Sequence, residues 1–168
     1  MTKVYVAAGS NVDPERNLAR ACGEVAASWP DAGFSRAYRN AAVGFDGPEF
    51  INLVVGFTTD QPIDAVITRL RAIETLCGRP RNAPKWAART MDLDILLFGA
   101  RIEKTADYTV PRPDLLKRPY MLGPMAELAP QVMHPVANKT MGELWAGFDR
   151  DAHSMTPVSI MLPGPAVA

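Results

Sequence analysis

Residues 50–58 read FINLVVGFT, an almost uninterrupted apolar run that is typical of a central strand of a sheet. Pro62 then opens a segment with apolar residues at helical spacing, and Gly78 suits its C-terminal end. The apolar face of this helix comprises Ile63, Val66, Ile67, Leu70, Ile73 and Leu76. Residues 91–98, MDLDILLF, follow as another strand. Residues 50–98 therefore predict a strand–helix–strand unit.

The residues before this unit predict two further strands and a helix. Residues 3–8, KVYVAA, form a β-rich run, and Asp13 followed by Pro14 predicts a helix that Asp13 caps and Trp29 ends. Residues 34–39 are a further strand-like run, and the glycines and proline of residues 40–49 indicate a loop. The resulting β-α-β-β-α-β order predicts an α+β fold of the ferredoxin-like kind, an antiparallel sheet with helices on one face.

Further helical signals follow the last strand of this pattern. Residues 121–128 predict a short helix, and Thr140 with Glu143 forms a capping box for a final helix that runs through Trp145. We therefore expect one domain at residues 1–148 that includes a C-terminal helical extension. Residues 149–168 are weakly patterned, and we interpret them as a tail.

The composition excludes several classes of protein. The chain has 168 residues, 48% of them hydrophobic, with 18 basic against 18 acidic side chains. This zero net charge argues against binding of nucleic acid or of anionic membranes by bulk charge. Two cysteines do not make a disulfide framework, and no apolar run approaches the ~20 residues that cross a bilayer. We expect a cytoplasmic monomer that acts on small molecules.

Asp92-Leu93-Asp94 is the most informative tripeptide for function. Side chains two residues apart in a strand leave the same face, so the two carboxylates can converge on a pair of hard cations. Mg²⁺ is the expected ion, because proteins bind it through one or two carboxylates together with substrate phosphates. The alternative is that one aspartate is simply exposed while the other pairs with an arginine.

The segment directly before this strand is strongly basic. Residues 79–89, RPRNAPKWAAR, contain four cations and no acid. Guanidinium groups match phosphate oxygens in a bidentate manner, although a solvated basic loop is the alternative interpretation. Cations followed at once by paired carboxylates predict a polyphosphate–metal site. Trp86 within the segment is either a core anchor or a lid over a flat ligand.

Other chemistries have little support in the sequence. Neither a phosphate-binding loop nor a dinucleotide-binding glycine motif is present, and His134 and His153 are too few for a histidine-rich zinc site. We expect His134, which precedes a proline, to be structural. An RNA-binding module shares the predicted element order, but residues 50–58 lack the aromatic motif that such a module carries on its third strand.

Most of the chain, from Tyr5 to about Pro135, resembles the 6-hydroxymethyl-7,8-dihydropterin pyrophosphokinase family of folate biosynthesis. The resemblance is most specific between Glu74 and Ile95. The matching pieces are Ala8-Gly9-Ser10-Asn11, Tyr38-Arg39, Phe50-Ile51-Asn52, Ile73-Glu74, Gly78-Arg79-Pro80-Arg81, Trp86, Arg89-Thr90-Met91-Asp92-Leu93-Asp94-Ile95, Val110-Pro111, Arg118 and Tyr120-Met121-Leu122.

The resemblance implies a transferase that moves pyrophosphate from Mg-ATP to the pterin's hydroxymethyl oxygen and releases AMP. Asp92 and Asp94 would hold two Mg²⁺ ions, and Arg79 and Arg89 would act with them in catalysis. The residues implied in ATP binding are Glu74, Arg79, Arg81, Arg89, Ile95, Arg112 and Arg118. Those implied in pterin binding are Val43, Gly44, Phe50, Asn52, Trp86, Asp92 and Tyr120.

Three departures from the family pattern concern the rim of the implied site. Asn40-Ala41-Ala42 replaces a common threonine-proline-proline, Ala87-Ala88 replaces glycine-proline, and Arg112 replaces a histidine. An arginine keeps the ability to bind phosphate, but it carries a permanent charge. The change at residues 40–42 motivates a second hypothesis, in which the acceptor is a modified pterin or another alcohol.

Overall fold

The computed structural model describes residues 1–40, 48–78, 91–149 and 155–163. Its main feature is an antiparallel sheet of six strands in the order β5-β1-β4-β3-β8, with β2 also paired to β4. The strands are β1 (Thr2–Ser10), β2 (Gly33–Phe34), β3 (Ala37–Asn40), β4 (Phe50–Thr59), β5 (Asp92–Phe98), β6 (Glu103–Lys104), β7 (Thr109–Val110) and β8 (Thr156–Val158). The helices are α1 (Pro14–Ser28), α2 (Ile63–Leu76), α3 (Pro119–Leu128) and α4 (Met141–Ala146), with a 3₁₀ turn at Pro113–Leu116. Strands β6 and β7 form a separate hairpin.

The ferredoxin-like element order is confirmed, with one strand divided in two. The expected strand at residues 34–39 is interrupted at Ser35 and Arg36, which separate β2 from β3. Val54 N–H donates to the Ser35 hydroxyl at 2.9 Å, so at this point a side chain takes the place of a backbone acceptor in the ladder. This local irregularity is the physical reason why one segment of alternating sequence becomes two short strands.

Helices α1 and α2 cover one face of the sheet, as expected. Their apolar positions pack on the inward residues of the strands to form the α1/α2 cluster. Its members include Leu18, Ala21, Cys22 and Val25 of α1, Ile63, Val66, Leu70 and Ile73 of α2, and Val6, Leu53, Val55, Phe57, Leu93 and Ile95 of the sheet. Both cysteines are buried and unlinked.

Helices α3 and α4 cover the opposite face. Val54 lies between Leu53 and Val55 in β4 but belongs to a second cluster with Tyr5, Leu97 and residues of α3 and α4. Alternation along the strand therefore places the two clusters on opposite faces. The expected one-sided helix layer describes α1 and α2, and the helical extension supplies a second layer. Burial from both sides explains the continuous apolar run in β4.

The helix ends agree with the sequence signals except at Asp13. Thr140 and Glu143 form the expected capping box of α4, and Gly78, with φ of 89°, follows the C-terminal end of α2. The expected side-chain cap at Asp13 is wrong, because Asp13 adopts left-handed backbone angles, φ 43° and ψ 55°, and makes no capping hydrogen bond. A capping side chain normally needs extended backbone at that position.

The tail contributes a strand that the sequence pattern did not predict. Residues 156–158 pair with residues 37–39 of β3, and Val158, Ile160 and Leu162 pack against the α1/α2 cluster. No helix in the described part of the chain is both long and apolar enough to cross a membrane.

Candidate active site

A row of residues across three strands forms the floor of the site. Gly9 of β1 lies opposite Asn52 of β4 on one side and opposite Asp92 of β5 on the other. A Cβ atom at Gly9 would lie 2.4 Å from Asn52 Oδ1, so any larger residue at position 9 would have to displace that amide. Strand spacing places Asn52 and Asp92 roughly 10 Å apart at their backbones. The row therefore presents an amide and a carboxylate on either side of a flat, side-chain-free floor.

Asp92 and Asp94 leave the same face of β5, as the sequence predicted. Asp92 is opposite Gly9 and Asp94 is opposite Ala7, while Leu93 between them is buried in the α1/α2 cluster. Burial raises the pKa of Asp94 to about 7, and the nearby charge of Asp92 adds to the rise. The Asp94 side chain is only 15% exposed. Two carboxyl groups, of which Asp94 has little access to water, are thus held on one face of β5, and this arrangement favours a cationic ligand.

Two arginines supply positive charge beside Asp94. Arg112 Nη1 lies 3.6 Å and Arg71 Nη2 lies 3.9 Å from Asp94 Oδ1. Both guanidinium groups lower the pKa of Asp94 against the larger effect of burial. The alternative in which one aspartate pairs with an arginine is therefore partly realised. Arg112 also contacts Asp114 at 3.5 Å, and its Nε is buried without a hydrogen-bond partner among the described residues.

Glu74 joins helix α2 to strand β5 between the two aspartates. Its side chain is 4% exposed, and Oε2 accepts hydrogen bonds from Leu93 N–H and Arg71 Nη1, each at 2.8 Å. Arg71 Nη1 also donates to the Leu93 carbonyl at 2.8 Å. This arrangement, which we call the Glu74–Arg71 clamp, fixes the residue that separates Asp92 from Asp94. Contact of Glu74 with a nucleotide stays a prediction.

Sequence reasoning missed Arg71. Its spacing of three residues from Glu74 on a helix is the signal that could have identified it, because such residues are neighbours on the helix surface. The spacing alone would have suggested an ordinary surface ion pair. The burial of Glu74 and the position of β5 are what bring Arg71 to the site.

The remaining described residues of the predicted site border the same region. Tyr120 is half-buried in α3; burial raises the pKa of its hydroxyl, and the charges of Arg118 and Asp92 are among those that act on it. Arg118 immediately precedes α3, and Phe50, at the start of β4, is opposite Asn40. These residues therefore lie at the ends of β4 and α3 that border the acidic pair.

One predicted residue lies elsewhere, and six lie outside the described residues. Ile95 is part of the α1/α2 cluster, so its side chain leaves the opposite face of β5 from Asp94, and its role in nucleotide binding stays a prediction. The six predicted residues outside the described ranges are Val43, Gly44, Arg79, Arg81, Trp86 and Arg89. Their roles stay predictions.

The donor set beside Gly9 fits a hard divalent cation. Within residues 1–40, 48–78, 91–149 and 155–163, no group of three histidine, cysteine or acidic side chains is arranged to hold a metal. Magnesium, however, commonly uses one or two carboxylates and takes its other ligands from phosphate oxygens and water. Two neighbouring carboxylates whose burial and mutual repulsion raise the pKa of Asp94 have the chemistry that such an ion neutralises.

Comparison with known proteins identifies the class. Residues 5–130 match the family model described as 7,8-dihydro-6-hydroxymethylpterin-pyrophosphokinase. A 2-amino-4-hydroxy-6-hydroxymethyldihydropteridine pyrophosphokinase of Aquifex aeolicus is 30% identical over 145 residues, which cover 85% of this chain and 90% of the relative. The Pseudomonas aeruginosa protein of the same name is 36% identical over 138 residues, covering 79% of this chain and 84% of the relative.

Other matches cover only part of a longer protein. The match to the Synechocystis pyrophosphokinase, 37% identical over 107 residues, covers 64% of this chain and 54% of that protein. A crystal structure of Plasmodium falciparum HPPK-DHPS superimposes with a TM-score of 0.63 at 12% identity, over 86% of this chain and 44% of that one. At that identity the superposition supports the fold alone.

The ferredoxin-like sheet and its acidic pair, together with these matches, define a transferase of the pyrophosphokinase class. The chain belongs to the 7,8-dihydro-6-hydroxymethylpterin-pyrophosphokinase family, whose model it matches over most of its length.

Proposed function

We propose that this chain transfers pyrophosphate from Mg-ATP to the hydroxymethyl group of 6-hydroxymethyl-7,8-dihydropterin, giving the pterin diphosphate and AMP. The observation that carries the proposal is the row of Asp92, Gly9 and Asn52, with arginines beside Asp94. Carboxylates that can bind metal ions and an amide that can bind the edge of a flat ring project from the same face of the sheet.

The reaction requires positioning and charge neutralisation more than covalent help from the protein. The hydroxymethyl oxygen forms a bond to the β-phosphorus of ATP. The bond from that phosphorus to the oxygen bridging to the α-phosphorus breaks, and the oxygen leaves with AMP. The hydroxyl proton passes to solvent.

The described residues would divide this work between the phosphates and the metal. Asp92 and Asp94 would hold two Mg²⁺ ions, which supply charge neutralisation and lower the pKa of the attacking hydroxyl. Arg112 and Arg118 would bind phosphate oxygens, since guanidinium groups pair well with them. The half-exposed guanidinium of Arg71 would favour the ionised form of Asp94 against the larger effect of burial.

Residues at the other end of the row would hold the acceptor. Asn52 would bond the edge of the pterin ring, and Phe50 and Tyr120 would pack on its faces. Asp92 would lie near the hydroxymethyl group, because it is the carboxylate on the same row as Asn52. Arg79, Arg81 and Arg89 on the phosphates, and Val43, Gly44 and Trp86 on the pterin, complete the proposal from the family resemblance.

A product assay tests this function. The protein is incubated with Mg-ATP and 6-hydroxymethyl-7,8-dihydropterin, and the nucleotide product is identified by chromatography. AMP together with a pterin diphosphate is the expected result. ADP would indicate an ordinary kinase. ATP binding without turnover would favour a modified pterin or another alcohol as the acceptor, and would overturn the proposed substrate.

Removing either carboxylate charge should abolish most of the activity. We expect Asp92→Asn and Asp94→Asn each to lower kcat/KM by about 10³-fold, roughly 4 kcal/mol of transition-state stabilisation, because each amide is a poor metal ligand. Steady-state kinetics at saturating Mg²⁺ measures the effect, and circular dichroism checks the fold. Asp64→Asn, at an exposed position of α2, is the matched control. Near-full turnover in either site variant would contradict the metal assignment.

A further inference from the structure

Asn40 and Asn52 form a buried amide pair beside the floor of the site. Asn52 Nδ2 donates a hydrogen bond to Asn40 Oδ1. Asn40 is 8% exposed and Asn52 is 9% exposed. Asn40 lies opposite Phe50 in the β3–β4 ladder and is therefore a diagonal neighbour of Asn52 on the same face.

This pair fixes the direction of the Asn52 amide. The oxygen and nitrogen ends of an asparagine side chain are almost the same size, so the hydrogen-bond partner decides which end points where. The nitrogen of Asn52 is directed to Asn40, and its oxygen lies over Gly9, where a Cβ atom would approach it to 2.4 Å. The amide therefore presents its acceptor end along the row toward Asp92.

Such an arrangement favours a ligand edge that carries N–H donors. Asn52 Oδ1 and the Asp92 carboxylate are both acceptors on this row, and the residue between them, Gly9, has no side chain. A buried acceptor left without a donor costs about 1–3 kcal/mol, so a ligand that offers an acceptor at this edge would be rejected.

We propose that Asn40 is a positioning residue that sets acceptor specificity: by holding Asn52 Nδ2, it keeps Asn52 Oδ1 directed at the amino edge of the substrate ring. The inference rests on the proposed function and deepens it, since it names the edge of the heterocycle that is read. Asn40 does this from the position at which the sequence departs from the threonine common in the family.

The test compares two competitors that differ at one group. A 2-aminopterin presents an exocyclic NH2 donor, and the matching 2-oxo compound presents an acceptor there. Inhibition constants for both are measured in wild type, Asn40→Ala, Asn40→Asp and Asn40→Val. Thr156→Ala, exposed on the strand that pairs with β3, is the control for disturbance of the sheet edge.

We expect the wild type to prefer the 2-amino compound at least 10-fold, as expected for one mismatched buried hydrogen bond. Asn40→Ala should lose most of this preference, because the Asn52 amide can then turn over. Asn40→Asp retains the acceptor and should retain the preference, and Asn40→Val, which also lacks an acceptor, replaces the alanine variant if that variant does not fold. The Michaelis constant for ATP should stay within twofold throughout, which distinguishes positioning from general loss of structure.

A second measurement tests the pair without substrate. The side-chain amide resonances of Asn52, assigned through Asn52→Asp, should exchange slowly in wild type and Asn40→Asp and rapidly in Asn40→Ala. Wild-type turnover with an unchanged preference in Asn40→Ala would overturn the inference alone. No pterin binding by the wild type would overturn the proposed function, and the specificity role with it, even if the amide resonances were protected.

Discussion

The buried carboxylate of Glu74 holds the backbone of β5 and Arg71 in place, and so it supports the acidic pair through contacts with other residues. Its Oε2 accepts two hydrogen bonds at 2.8 Å, one from the backbone of β5 and one from Arg71. Bonds to a charged acceptor are stronger than neutral ones, and the loss of one partner leaves the others buried and unsatisfied. The spacing of Asp92 and Asp94 thus depends on a residue in helix α2.

Neutralising Glu74 should therefore weaken both the fold and the reaction. We expect Glu74→Gln to lower the free energy of unfolding by about 1–3 kcal/mol, since the Glu74–Arg71 clamp loses the negative charge that pairs with Arg71. We also expect kcat/KM to fall by about 10- to 100-fold, by analogy with the loss of residues that orient metal ligands. Urea denaturation and steady-state kinetics measure the two effects.

Glu15→Gln, at an exposed position of α1, is the control for a neutralised helical glutamate. Arg71→Ala should reproduce the kinetic effect of Glu74→Gln, because it removes the other half of the clamp. Wild-type kinetics in both clamp variants would show that the clamp does not position the acidic pair.

At the residue scale, the sequence predicted from which face of a strand a side chain projects, but it did not predict which residues surround that side chain. Period-two alternation was sufficient to place Asp92 and Asp94 on one side of a strand, and this is what the structure shows. The low exposure of Asp94 and its contacts with Arg71 and Arg112 depend on elements far apart in the chain. Local pattern carries no information on such contacts.

Among the elements, the connection between α3 and α4 shows a histidine in a structural role. His134 is 2% exposed, and its Nδ1 accepts hydrogen bonds from the N–H groups of Val136 at 3.1 Å and Ala137 at 3.0 Å. Two donors on Nδ1 require that nitrogen to be unprotonated. Burial lowers the pKa of His134 below its ordinary value, so the turn is stable with the neutral ring.

The stability of the protein should therefore decrease in mild acid. Below a pH of about 6.5 the unfolded chain takes up a proton at His134 more readily than the folded chain, so the free energy of unfolding falls as the pH falls. We expect His134 to contribute a loss of up to about 1 kcal/mol between pH 7.5 and 5.5. Urea denaturation at the two pH values measures it.

His134→Asn supplies a non-titrating acceptor and should remove this part of the pH dependence, while His153→Asn should retain it. An equal acid-induced loss of stability in wild type and His134→Asn would contradict the structural role of His134.

The capping box of α4 could be predicted from sequence alone, because its two residues are three positions apart. Asp13 shows the limit of such local signals, since backbone angles decide whether a side chain can cap.

At the scale of the whole molecule, the C-terminal part of the chain covers the second face of the sheet and extends one of its edges. Helices α3 and α4 cover the second face of the sheet, and β8 extends β3 with Val158, Ile160 and Leu162 packed beneath. A three-residue strand that contains Pro157 has no recognisable period. Its place is set by the unpaired edge of β3, which is a tertiary feature, and so residues 149–168 could not be interpreted from pattern alone.

The apolar residues of the tail should contribute measurably to stability. We expect Ile160→Ser combined with Leu162→Ser to cost about 2 kcal/mol, because each side chain is only partly buried. In a protein of this size the melting temperature should fall by roughly 4–8 °C. Differential scanning calorimetry measures the shift, and Ser159→Ala, at the exposed position directly before Ile160, should leave the melting temperature unchanged. An unaltered melting temperature in the double variant would mean that the tail does not contribute to the core.

The glycine at position 9 joins two otherwise separate halves. Asp92 and Asp94 are anchored through α2 and β5, whereas Asn40 and Asn52 are anchored through β3 and β4, and the halves meet only across that residue in the described row. Acceptor preference and phosphate chemistry can therefore diverge independently during evolution. Chimaeras that exchange the β3–β4 segment between homologues would transfer one property without disturbing the other.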